Sequence, residues 1–204
     1  MKSKILLTSM AAILASVAGA NALEYKPFVG LTMGLANAIY SDETEDAEKA
    51  QNFDLPEDFI AFGIEAGVRF GAHNEIYNYG FTLNADTSTE RSIEQKFGSA
   101  KLGDMTTTYY SATFDNYFRM SGDKNKRIDL VLGAGLGSMN YHVDLKNGYD
   151  DTVYSPVVAL KIGVDFEVSQ SWTLSANTRF FVPTRSHYEL DSSYIVGGAV
   201  KYMF

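Results

Sequence analysis

FIAFGIEAGVRFG, residues 59–71, alternates in polarity from end to end. Ile60, Phe62, Ile64, Ala66, Val68 and Phe70 form one set; Phe59, Ala61, Gly63, Glu65, Gly67, Arg69 and Gly71 form the other. Successive side chains of a strand point to opposite faces, so a period of two predicts a strand here. One face is continuously apolar. The other is mostly small or charged.

The same period recurs on both sides of this segment. Residues 77–86 set Tyr77, Tyr79, Phe81, Leu83 and Ala85 against Asn78, Gly80, Thr82, Asn84 and Asp86. A fourth strand sets Tyr110, Ala112, Phe114, Phe118 and Met120 against Ser111, Thr113, Asp115, Tyr117 and Arg119. A sixth sets Val158, Leu160, Ile162, Val164 and Phe166 against Ala159, Lys161, Gly163, Asp165 and Glu167. First, fifth, seventh and eighth strands follow over about 24–40, 127–144, 172–182 and 193–204, with blemishes at Asn116 and Thr178.

Eight such strands can each supply the roughly 9–11 residues that a tilted strand needs to cross a bilayer. Short connections fall at 72–74, 121–126 and 169–171; longer ones fall at 41–57, 88–103, 145–151 and, more modestly, 184–188. That alternation is the arrangement of a transmembrane barrel, with both termini on the short-turn side. The fold class expected is therefore all-β: an eight-stranded antiparallel up-and-down transmembrane β-barrel. A soluble barrel of the same size would turn its bulky apolar set inward. Here that set fits only if it faces lipid, where a closed barrel pairs every backbone group. Tyr25, Phe70, Tyr77, Phe118, Trp172 and Phe204 would form the aromatic belt at the short-turn end.

Composition narrows the function classes. The chain has 204 residues, no cysteine, three histidines and a formal charge of −8. Disulfides and thiolate metal sites are excluded. The acidic balance speaks against nucleic acid as a partner. Residues 1–22 read as a secretory signal peptide: Lys2 and Lys4, an apolar run from Ile5 to Val17, and Ala20-Asn21-Ala22 as an A-x-A cleavage site. The barrel domain would then span residues 23–204, with 15 basic and 25 acidic residues, or −10.

Three segments resemble a known family. "YKPFVGLTMGLANA" resembles the opening strand of the small opacity-type outer membrane barrels, "LVLGAGLGSMNYH" their glycine-rich fifth strand, and "YIVGGAVKYMF" their last strand. The membrane domain of outer membrane protein A is similar. The resemblance implies a porin-family surface antigen of a Gram-negative bacterium, lodged in outer membrane lipid and lipopolysaccharide. It also implies insertion by the barrel-assembly machinery, which reads the last strand through Tyr202 and Phe204.

The candidate sites are few. Glu65, Arg69, Asp115, Arg119, Asp129, Lys161, Asp165, Glu167, Arg179 and Lys201 share the small face. Five acids against five bases suggests mutual pairing, since a buried charge is expensive alone. Arg119 is expected against Asp129, and Glu65 against Lys161 and Arg179. A packed polar plug is the reading adopted, with a gated ion path as the alternative. The acidic run Asp42, Glu43, Glu45, Asp46 and Glu48 lacks the glycine and spacing of an EF-hand, so it reads as a solvated extracellular loop. His142 and His187 lie near the extracellular rim, but Asp144 and Glu189 stand where a lipid A hydrolase would have a serine. The expectation is a monomeric, non-enzymatic surface protein without cofactor or dedicated metal. It would be structural or adhesin-like, contacting host or envelope proteins through its loops. A narrow porin-like channel is the first alternative and a lipid A-modifying enzyme the second.

Overall fold

The computed structural model describes residues 24–95, 100–121, 126–184 and 190–204. The expected signal segment with Ala20 and Ala22, and the rim residue His187, lie outside them. In chain order the elements are β1 (Tyr25–Tyr40), α1 (Asp42–Gln51), β2 (Phe53–Asp54), β3 (Asp58–Phe70), β4 (Tyr77–Ser88), β5 (Arg91–Gln95), β6 (Lys101–Ser121), β7 (Ile128–Leu145), β8 (Asp150–Ser169), β9 (Trp172–Pro183) and β10 (Leu190–Met203). Strands β1, β3, β4, β6, β7, β8, β9 and β10 pair antiparallel in a closed ring. The seam is β1 against β10, with Leu31 opposite Val200 and Phe28 opposite Met203. The short β2 and β5 continue the sheet beyond the rim, beside β6.

Closure without edges satisfies the backbone, and the register keeps like with like. Leu31 lies beside Ile64 on one neighbour and Val200 on the other. The barrel is inside-out relative to a soluble protein. Leu31, Ile64 and Leu136 are 70%, 60% and 68% exposed, while Glu65, Asp115 and Lys201 are 2%, 0% and 1% exposed. Burying charge while exposing a belt of leucine is stable only where hydrocarbon, not water, bathes the outside. On β6 the outward apolar residues run from Met120 to Tyr110. Eleven residues span about 33 Å along a strand and about 25 Å at the usual tilt, the height of a lipid-facing band. The predicted consequence is heat-modifiable migration: the refolded barrel should resist SDS until boiled. Identical migration of boiled and unboiled samples, with no strand signal in detergent, contradicts this fold.

The end away from the termini differs from expectation in three ways. First, strands replace much of the long connections. β6 begins at Lys101, β7 and β8 run to Leu145 and from Asp150, and β5 occupies part of the expected 88–103 loop. The expected 145–151 loop is a tight turn, in which Leu145 donates to the Tyr149 carbonyl and Gly148 takes a φ of 88°. Second, the acidic run is a helix. Ser41 caps α1 by accepting from Thr44 N at 3.3 Å, Asp42, Glu43 and Glu45 fill its first turn, and Asn52 closes it at φ 62°. Carboxylates beside a helix N-terminus are stabilising.

Third, the apolar face inverts above the band. On β7 the outward residues are Leu130, Leu132 and Leu136 low down, then Asn140, His142 and Asp144, while Met139, Tyr141, Val143 and Leu145 turn inward. On β6 the outward Thr108, Thr106 and Asp104 replace the lipid-facing set, and Tyr109 and Met105 face in. The upper interior is therefore not small and polar as expected. Phe59, Tyr109, Met139, Tyr141, Phe181 and Ile195 fill it as an apolar core. Outside the membrane, β6 to β8 form a wall with the ordinary orientation of a soluble sheet, polar to water and apolar within.

Candidate functional site

The interior is layered along the barrel axis. Nearest the termini, the Asp129 carboxylate is held by Arg69 at 2.8 Å and by Arg127 at 2.7 Å. The Arg69 guanidinium also lies 4.6 Å from the centre of the Tyr117 ring. Lys26 and His73 approach Glu167 at 3.8 and 3.2 Å.

Above them sits a cluster of three carboxylates and two lysines. Lys161 lies 2.9 Å from Asp115 and 4.0 Å from Glu65. Lys201 lies 3.0 Å from Asp165 and 3.7 Å from Glu65. Thr82 donates to Asp115 at 2.7 Å, and Ser175 donates to Asp165. Glycine makes this possible at one position. A Cβ on Gly133 would overlap the Asp115 carboxylate and crowd Lys161.

Arg179 and Asp86 form the next level, with Arg179 Nη2 donating to Asp86 Oδ1 at 3.0 Å and Arg179 Nη1 to Asn84 at 3.3 Å. One expected pairing is therefore corrected. Arg179 binds Asp86, not Glu65. Arg119 faces Asp129 in register as expected, and at the rim its half-buried guanidinium donates to the Asn74 carbonyl at 3.4 Å. The Asp129 carboxylate is held by Arg69 from β3 and by Arg127, two residues before it in the chain. Among the described residues, the interior set of ion-paired carboxylates and permanent cations is six acids (Glu65, Asp86, Asp115, Asp129, Asp165, Glu167) and six bases (Lys26, Arg69, Arg127, Lys161, Arg179, Lys201). Asp86 and Arg127 had a signal in the sequence: each shares parity with inward neighbours, Asn84 and Asp129.

The apolar core closes the barrel above these charges. Over it opens a cup of about 900 Å³, between α1, β2, β5 and the wall of β6 to β8. Its apolar lining includes Phe53, Leu55, Ile93, Val143, Leu145 and Val153. Glu43, Lys101, Lys146 and Asp151 stand in its lining as charged groups. Lys101 is paired with Asp104 at 2.6 Å, and that hydrogen bond holds its ammonium above the usual lysine pKa. Glu48 ties α1 down by accepting from Leu55 N at 2.7 Å. The helix buries none of its own residues. Deleting 42–51 should therefore leave membrane insertion and heat-modifiability intact while opening one side of the cup, because exposed loops tolerate length changes well. Loss of the unboiled fast-migrating form would make α1 structural.

No chemistry of an acyl transfer kind is assembled at His142. Its Nδ1 lies 3.1 Å from Thr152 Oγ1 and 3.5 Å from Asp150, so hydroxyl and acid meet the same nitrogen. A catalytic triad needs them on opposite nitrogens. Among the described residues no group of three or more His, Asp and Glu is placed to hold a metal.

No family model matches the chain, and no curated protein does. Solved structures do match. The attachment invasion locus protein Ail of Yersinia pestis, crystallised with the heparin analogue sucrose octasulfate, is 16% identical with a TM-score of 0.53, covering 89% of this chain and 99% of that one. Neisserial surface protein A is 15% identical with a TM-score of 0.52, covering 87% of this chain and 97% of that one. At such identities the likeness speaks for the fold. The chain thus has the fold of the small eight-stranded outer membrane β-barrels, opacity-type and outer-membrane-protein-A-like, that its strands resemble.

Proposed function

We infer that the protein is an integral outer membrane protein that displays a recognition surface outside the cell on a closed barrel. The observation that carries this is the inversion of polarity within single strands. Below it, β6 and β7 are built for lipid; above it they are built for water, and roughly 20 Å of ordered sheet stands clear of the hydrocarbon. The termini face the periplasm in this arrangement, and α1 and the wall face outward. The structural neighbours, a surface protein and an attachment invasion protein, support a surface role of this kind.

The barrel itself is a mount. Paired charges fill its lower interior and an apolar core fills its upper interior, and this filling supports a mount over a channel. The test is twofold. Protease applied to intact cells should cut within α1 or the 146–149 turn and spare the turn at 71–76. The purified protein should be silent in planar bilayers. Steady single-channel conductance would overturn the reading in favour of a porin-like role, and protection of α1 in intact cells would overturn the orientation.

Biogenesis adds a proposal about the C-terminus. Trp172, Tyr202 and Phe204 form a chain of edge-to-face rings with centroids 5.1 Å apart at each step, and Phe204 N donates to the Pro27 carbonyl across the seam. The Phe204 side chain is exposed, so its removal subtracts little packing. If it is an assembly signal, deletion should leave refolding in detergent unchanged while outer membrane levels collapse. Wild-type outer membrane levels in the deletion would defeat this.

A further inference from the structure

The cup and the charge around it point to a ligand. Residues 41–58, 89–95, 101–104, 144–151 and 190–191 make up the described loop end; they hold fifteen acids and four bases, a formal −11. The walls of the cup beneath them are apolar, from Phe53 and Leu55 on one side to Val143, Leu145 and Val153 on the other. In the lining, Glu43 and Asp151 stand with Lys146 and with Lys101, which Asp104 neutralises; on α1, Glu43 is beside Asp42, while Glu45 and Asp46 share the exposed Lys49. A polyanion such as the one bound to the Yersinia pestis protein would meet repulsion here.

We propose that the cup docks an amphipathic basic peptide: an apolar side seated on Val143, Leu145 and Val153, with lysines or arginines reaching the carboxylates of α1 and the rim. This rests on the surface-recognition reading above and names its partner class. A volume of about 900 Å³ suits the seating of a small apolar surface, within the range of ordinary ligand sites. The acids extend well past the mouth of the cup, so several separated positive charges are needed to match them. A single small amine lacks that reach; a peptide has it.

The probe is a fluorescent peptide of about a dozen residues, leucine and lysine at helical spacing. It is titrated against the protein in nanodiscs of zwitterionic phosphatidylcholine, with empty discs subtracted. Saturable one-to-one binding is expected. It should weaken about tenfold when salt rises from about 0.05 to 0.5 M, since the screening length falls several-fold. Glutamate in place of lysine should abolish it, and serine in place of leucine should weaken it at least tenfold, about 1.4 kcal/mol. In the protein, the exposed pair Glu43→Lys and Asp46→Lys should weaken binding about tenfold, as should Val143→Ser with Val153→Ser. Both double variants are first checked for heat-modifiable migration, and the surface charge pair does not touch the core, so a folded variant is available in either case. Equal binding of the acidic peptide, indifference to both pairs of substitutions, or no excess over empty discs would overturn the proposal. So would dodecylamine binding as tightly as the peptide. Bilayer conductance tests the underlying reading separately: a silent barrel that ignores the peptide overturns only the ligand.

Discussion

Lys201→Met should cost the barrel about 3–5 kcal/mol, the range for removing one partner from a buried ion pair. Lys201 Nζ donates to both oxygens of Asp165, at 3.1 and 3.0 Å, and lies 3.7 Å from Glu65 and 5.3 Å from the centre of the Phe28 ring. Methionine preserves much of the stem and its packing but none of the charge. Glu65, Asp115 and Asp165 would then share Lys161 alone, and that lysine is already committed to Asp115 at 2.9 Å. The readout is urea unfolding in lipid vesicles, followed by the fluorescence of Trp172, the chain's one tryptophan. The double variant Lys201→Met with Asp165→Leu should recover part of the loss, because both charges leave together and a paired deletion can approach neutrality. A single-variant loss below about 1 kcal/mol, the scale of an exposed pair, would show that water reaches this layer and that the plug reading is wrong.

Ile162→Arg should cost about 2–4 kcal/mol, whereas Thr106→Arg should change stability by no more than about 0.5 kcal/mol. Both side chains point outward. Ile162 lies midway along the lipid-facing run of β8 and is 48% exposed; Thr106 lies on β6 above Tyr110, opposite His142 of β7. At the first position an arginine must be drawn into hydrocarbon or distort the bilayer around it. At the second it meets water. The contrast locates the membrane boundary between Tyr110 and Thr106 on β6. Equal costs at the two positions would place the boundary elsewhere and remove the basis for an exposed recognition wall. Vesicle-based unfolding is again the measurement, since detergent blurs the difference between depths.

What the sequence determined by itself is the part governed by local geometry. Side chains on a strand alternate whatever the neighbouring strand does, so Ile60, Ile64 and Val164 announced one face and Glu65, Asp115 and Lys161 the other. Strand number followed from the count of alternating segments, and the inside-out choice from the size of the two sets. The inversion on β7 was also written there, in the step from Leu136 to Met139, Tyr141 and Val143, where the apolar residues change parity. α1 had its own signs in Ser41, the acids after it and Asn52, obscured because oxygen spacing invites a search for a metal loop.

Tertiary structure decided who meets whom across the barrel. The stagger of strands sets each inward side chain at a height that no single segment reveals, so Arg179 reaches Asp86 and not Glu65, and Arg69 reaches Asp129. It also decided that the long connections rise as sheet and enclose a cup, because Phe53, Ile93, Val143 and Val153 come from four separate segments whose common burial exists only after the ring has closed. Parity is a property of the covalent chain. Partnership depends on register between segments far apart in sequence, and only the folded ring sets it.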